Sequence, residues 1–173
     1  MKTQDVNRVV AFQKNQDQEE PQKVAHQKNH QEIKKCLGEK TYNTYFKFCV
    51  EREPVDKCIS HFSMFKNSPH HKSKITEMNW SDYINSNYLP IDYLKYTDES
   101  KKLIVDKILK YENLDFELKE TLRMLGIKFN RLNVKAKANY RREIDVSNND
   151  KIKIYEAFKE SNQYTGYKIN KFI

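Results

Sequence analysis

The chain reads as a mixed α/β domain built on a short parallel sheet, and three observations lead there. Tyr45–Ser60, YFKFCVEREPVDKCIS, runs from an alternating aromatic strand through a tight turn into a helix. Leu103–Gly126 repeats that order, with LIVDKILKY as a strand and Leu118, Leu122 and Leu125 at helical spacing behind it. Strands that alternate with helices imply crossover connections and parallel pairing. The third observation is punctuation: Pro54, Gly38 and Gly126 stand where elements should start or stop.

Taken in order, Val9–Phe12 is a short apolar run that suits a strand, followed by a Gln- and Glu-rich stretch that Pro21 breaks. Residues 1–25 are therefore expected to be a polar, partly mobile segment ahead of one domain spanning 26–173. A helix is predicted over Asn29–Leu37, with Ile33 and Leu37 on one face and Gly38 as its stop. In the next strand Phe46, Phe48 and Val50 alternate with Lys47, Cys49 and Glu51, which predicts one buried face. Pro54 then ends the ladder, because it has no N–H to donate, and opens a helix carrying Val55, Ile59, Phe62 and Phe65. Asn67–Glu77 is a polar loop, and Trp80–Ile84 is a short helix that Asn79 or Ser81 can cap. The second strand, Leu103–Tyr111, leads into a helix that Gly126 closes. A last helix is predicted over Asp150–Glu160, which leaves the C-terminal part rich in helix.

At 173 residues the chain is long enough for one domain with a proper core. Its mean hydropathy of -0.95 is polar, but 12% aromatic residues argue against disorder. A net charge of +8 points to an anionic partner: a nucleotide, a nucleic acid or an acidic glycan. Charge alone does not choose among them. Three cysteines, Cys36, Cys49 and Cys58, make an odd number and lie within predicted helix or strand, which fits a reducing compartment better than a disulfide framework. No stretch approaches the length and apolarity of a membrane span.

The turn between the first aromatic strand and its helix is a ready anion site. A helix N-terminus presents N–H groups and positive potential, Arg52 adds a planar fork of donors, and Ser60 adds a hydroxyl two turns into the helix. Arg-x-Pro followed six residues after the proline by Ser resembles the 3′-phosphate motif of sulfotransferases that use 3′-phosphoadenosine 5′-phosphosulfate (PAPS). The nearer resemblance is to the carbohydrate-type branch, whose usual form runs Arg-Asn-Pro-x-Asp-Arg-x-x-Ser; here Glu53 replaces the Asn and Lys57 the second Arg. The Tyr111-Glu112-Asn113-Leu114 run, the Leu125-Gly126 helix end and the closing Gly166-Tyr167 are similar to that family too. The resemblance covers roughly residues 26 to 167.

It implies a P-loop-type three-layer α/β/α core and in-line transfer of a sulfuryl group from PAPS to a hydroxyl, with a carbohydrate as the expected acceptor. Arg52 and Ser60 would hold the 3′-phosphate, with Lys135, Lys137 and Arg141 closing over it from the C-terminal side. His26 is the preferred base, since imidazole accepts a proton near neutrality. His26 and His30 share i, i+4 spacing, but no Glu follows the first and no third ligand is evident, so no metal is expected. Met1–Glu20 has no apolar run of the kind that anchors animal relatives in the Golgi, so a microbial or viral cytoplasmic version is expected. The family's glycine-containing 5′-phosphosulfate loop has no counterpart among Gly38, Gly126 and Gly166, and Lys14 is a weak stand-in. Binding with little turnover is therefore expected, unless an upstream segment or a partner chain supplies the loop. The competing readings are a non-catalytic degenerate relative and a basic nucleic-acid-binding domain.

Overall fold

A computed structural model describes residues 10–13, 30–67, 73–132 and 140–169. They pack as two units, one formed by Met1–Glu51 and Asp92–Arg131, the other by Arg52–Ile91 and Leu132–Ile173.

The first unit holds a three-stranded mixed sheet in the order β1-β2-β3, with β1 Val10–Gln13, β2 Tyr45–Glu51 and β3 Lys107–Lys110. β2 is central, antiparallel to β1 with Val10 opposite Phe48 and parallel to β3 with Phe48 opposite Lys107. The sheet is thus parallel only in its β2–β3 half. Phe46, Phe48 and Leu109 are buried against Leu114, Leu118 and Leu125, the apolar stripe of the helix α5, Leu114–Met124. Helical spacing in that stretch is what builds this face. Gly126 follows with a φ of 75°, a left-handed turn that an L side chain resists.

Period two in β2 predicts that Cys49 and Glu51 face outwards, yet both are buried. A central strand is covered on both faces, and Tyr96 lies against the second one, where burial first and then the Glu51 carboxylate push its hydroxyl above the usual range. The second strand is also shorter than the Leu103–Tyr111 run. Its first residues fold back instead: Leu103 bridges Thr97, and Ile104 N–H donates to the Tyr96 carbonyl at 3.1 Å. Asp98 builds that turn by accepting from Ser100 N–H and Lys102 N–H, each at 2.9 Å. Asp106 then starts the parallel ladder, taking the Lys47 N–H on its carboxylate at 2.7 Å. Helix α1, His30–Leu37, ends at Gly38 as expected, but a further helix α2, Glu39–Thr44, starts at once because Tyr42 has a core position to fill.

The second unit is helical. Its spine is α3, Pro54–Asn67, surrounded by α4 (Trp80–Ile84), α6 (Asn148–Ala157) and α7 (Lys159–Thr165). Asn79 caps α4 through a reciprocal pair with Asp82. Cys58 and Phe62 of α3 pack with Ile75, Tyr83, Ile84, Ile154 and Phe158, and Val55 and Phe65 extend the same stripe. Phe62 meets Trp80 edge-on at 5.5 Å between centroids, a favoured aromatic geometry. Burial pushes the Cys58 thiol up to about 12. Tyr83, buried beside it, also lies above its ordinary range, and His61 Nδ1 sits 2.9 Å from its hydroxyl oxygen. Among the described residues no helix is long and apolar enough to cross a membrane.

Candidate anion site

α3 has two faces with opposite chemistry. Val55, Cys58, Phe62 and Phe65 make the apolar one, while Arg52, Asp56, Ser60, Ser63 and Asn67 fall at steps of three and four on another side. That polar stripe is the seam on which residues 140–142 lie. Asn67 Nδ2 donates to the Tyr140 carbonyl at 2.7 Å, and the Arg142 N–H donates to Ser63 Oγ at 3.3 Å. Ser63 is 1% exposed, so its hydroxyl is an interior anchor for the segment.

Asp56 lies at the head of the seam, one turn after Arg52. Its Oδ2 takes the Arg52 Nε–H and its Oδ1 takes Arg141 Nη2, from 85 residues away. Two guanidiniums are thereby oriented by one carboxylate, each through part of its five-donor fork. Ser60, half-buried, stands one further turn along the stripe. Arg52, Ser60 and Arg141 are therefore gathered on one side of a single helix. Asp56, at the motif's acidic position, holds two of them together, a role that the reading of Arg52 and Ser60 as phosphate ligands does not include. The polar period along α3 was the signal.

The helix N-terminus is a different matter. The N–H groups there, expected to be available to a ligand, are taken by the chain itself. Glu53 Oε1 accepts from Val55 N–H at 3.1 Å and Oε2 from Asp56 N–H at 2.7 Å, as an N-cap does. Tyr155 of α6 donates its hydroxyl to the same carboxylate at 2.9 Å. The Asn-to-Glu difference at this motif position thus places a negative charge at the positive end of the helix. Lys57, in place of the second Arg, is 5% exposed with Nζ 5.8 Å from the Phe158 ring centroid, and serves the core rather than the stripe.

The remaining expectations divide cleanly. His26, Lys14, Lys135 and Lys137 lie outside the described residues. Tyr111 and Glu112 are exposed in a short 3-10 turn after β3. Beyond Arg141, the seam leads to an open cavity of about 550 Å³ lined by Lys66, Asn67, Tyr140, Arg141 and Arg142. A smaller one of about 200 Å³, lined by Phe62, Ser63, Lys66, Arg142, Glu143 and Ile144, adjoins it through Lys66 and Arg142.

No protein-family model matches the chain, and no solved structure matches it. An uncharacterized protein of Archaeoglobus fulgidus is 29% identical over 117 residues, which cover 64% of this chain and 94% of that protein.

Proposed function

We propose that this chain binds a 3′-phosphorylated adenine nucleotide through Arg52, Ser60 and Arg141, in the manner of a PAPS-dependent sulfotransferase acting on a carbohydrate hydroxyl. One observation carries the reading: Arg52 and Arg141 converge on Asp56, with Ser60 one turn along the same stripe. Two oriented forks and a hydroxyl suit a terminal phosphate, whose oxygens accept planar paired N–H groups. Lys135 and Lys137 belong to the same proposal, as does a P-loop-type three-layer core around the β2–β3 pair. His26 would take the proton of the acceptor hydroxyl as sulfur is attacked from the side opposite the leaving phosphate.

The reaction also needs positive charge on the oxygen bridging sulfur and phosphorus, and that contribution is commonly several kcal/mol. The seam holds the opposite end of the nucleotide, so binding and turnover separate. Calorimetric titration with adenosine 3′,5′-bisphosphate and adenosine 5′-phosphate tests the grip, with clear preference for the former expected. Equal affinities would overturn the site. Radiolabelled PAPS with a panel of hydroxyl acceptors tests the chemistry, and little transfer is expected from this chain alone. Steep salt dependence with DNA binding and no preference for the 3′-phosphate would favour a nucleic-acid-binding domain instead.

A further inference from the structure

The geometry points to a second oxyanion site in this unit, in the 550 Å³ cavity between Lys66 and Arg142, for a ligand bearing a phosphate or sulfate group. It does not depend on the nucleotide reading. Among the described residues that line it, Lys66, Arg141 and Arg142 are cations and none is a carboxylate; the other two, Asn67 and Tyr140, are an amide and a ring. Like charges gathered in one cavity repel, which an arriving anion relieves. The C-terminal end of α3 favours one cation nearby, and Lys66 stands in its last turn; Arg141 is paired with Asp56, which leaves Arg142 without an acid among the described residues.

All three cations are exposed; the Lys66 and Arg141 side chains are held in place, and Arg142 is held at its backbone. Lys66 Nζ donates to the Thr76 carbonyl at 2.7 Å and lies 5.8 Å from the Phe62 ring centroid, so its position is set without any acid. The Arg142 backbone is pinned to the buried Ser63 hydroxyl, and Tyr140 to Asn67. Among the described residues the Arg142 side chain meets no carboxylate within ion-pair distance, although Glu143 lines the adjoining smaller cavity. Ordered donors need little rearrangement on binding, which favours affinity. Ser60 and Lys66 are six positions apart on α3, about 9 Å along the axis, too far for one phosphate to span. Arg141 connects the two places, with Nη2 on Asp56 and its side chain lining the cavity.

Full-length chain is titrated with inorganic pyrophosphate and with a sulfated tetrasaccharide, using a neutral tetrasaccharide as control. The same titrations are run after saturation with adenosine 3′,5′-bisphosphate. At least one charged probe should bind in both conditions, and the tighter of the two names the source of the group. Lys66→Ala with Arg142→Ala should weaken that probe tenfold or more while bisphosphate affinity changes less than about twofold. Lys66→Arg with Arg142→Lys keeps the charges and should restore most of the binding, which separates lost charge from lost fold. The inference is overturned if neither charged probe binds, if the neutral sugar binds equally, if bisphosphate displaces the probe, or if the double alanine variant binds as the wild type does. Failure of bisphosphate to bind would remove the proposed nucleotide site while leaving this titration decisive.

Discussion

The two ends of α3 make a useful contrast. At the N-terminal end, acids of the chain occupy the places an incoming anion would use: Glu53 covers two N–H groups and Asp56 sits between two arginines. At the C-terminal end, Lys66, Arg141 and Arg142 line a cavity with no carboxylate among the described residues of its wall. The first end carries the recognisable motif, and the second carries Arg142, whose side chain meets no acid among the described residues. A motif specifies residue types in order, whereas affinity depends on what those residues already hold, since each internal contact must be exchanged when a ligand arrives.

The largest effect expected is on the support that both ends share. Cys58 and Tyr83 are buried as neutral groups between them, and the thiol is raised from 9.0 to about 12. A raised folded value means that stability is full below pH 9, where the thiol is neutral in both states, and is lost as pH rises towards 12, because the unfolded chain ionises first. Chemical denaturation should show unfolding free energy falling by on the order of a few kcal/mol over that window. Cys58→Ala should make the fall shallower, with Tyr83 and Tyr96 contributing to the remainder; parallel slopes would remove Cys58 from the explanation.

Next comes Arg52→Ala, which strips a fork from the N-terminal end. A charge-assisted contact to phosphate is worth about 1.5–3 kcal/mol, so bisphosphate affinity should fall about tenfold or more by calorimetry. Unchanged affinity would leave the Lys66–Arg142 cavity as the better phosphate site and invert the comparison.

Glu53→Asn sharpens it in the other direction by restoring the motif residue. It removes a competing charge from the helix N-terminus, an effect of roughly 0.3–1 kcal/mol, so bisphosphate should bind about two- to fivefold more tightly. Tyr155→Phe is the control, since it removes the hydroxyl from Glu53 but leaves the carboxylate in place. Weaker binding by Glu53→Asn would mean that the cap is needed for the site's shape.

The smallest effect concerns the Asp56 pairs. Their side chains are 17%, 28% and 44% exposed for Arg52, Asp56 and Arg141, and such partly exposed pairs contribute roughly 1 kcal/mol or less. Asp56→Ala should lower unfolding free energy by about that much and more at low salt than at high salt. A several-fold larger loss would make Asp56 a structural keystone rather than an aligner of two arginines.

Much of α3 and α4 was legible because their determinants are local. Pro54 suits a first turn, Val55, Phe62 and Phe65 recur at helical spacing, and Asn79 finds Asp82 three residues on without help from elsewhere. The strand β2 was legible for the same reason, as was the stop at Gly126. The misread faces are those decided by neighbours. Cys49 and Glu51 alternate like outward residues, but a central strand with Tyr96 against it has no outward face there. Leu103–Val105 has strand composition, but the Asp98 turn offers it a nearer partner in Thr97.

The order of chain along the candidate site follows the same division. Sequence by itself determined that Arg52 precedes a helix, that Ser60 lies two turns along it, and that an aromatic strand leads in, since backbone periodicity and proline geometry act over a few residues. Tertiary structure alone decided that Arg141 would reach Asp56 across 85 residues, that Ser63 would anchor Arg142, and that the Glu53 side chain would turn onto the helix N-terminus and meet Tyr155. The physical reason is that hydrogen bonds and ion pairs between distant segments depend on where the packing of apolar stripes brings those segments, and nothing in the local order of residues encodes that placement.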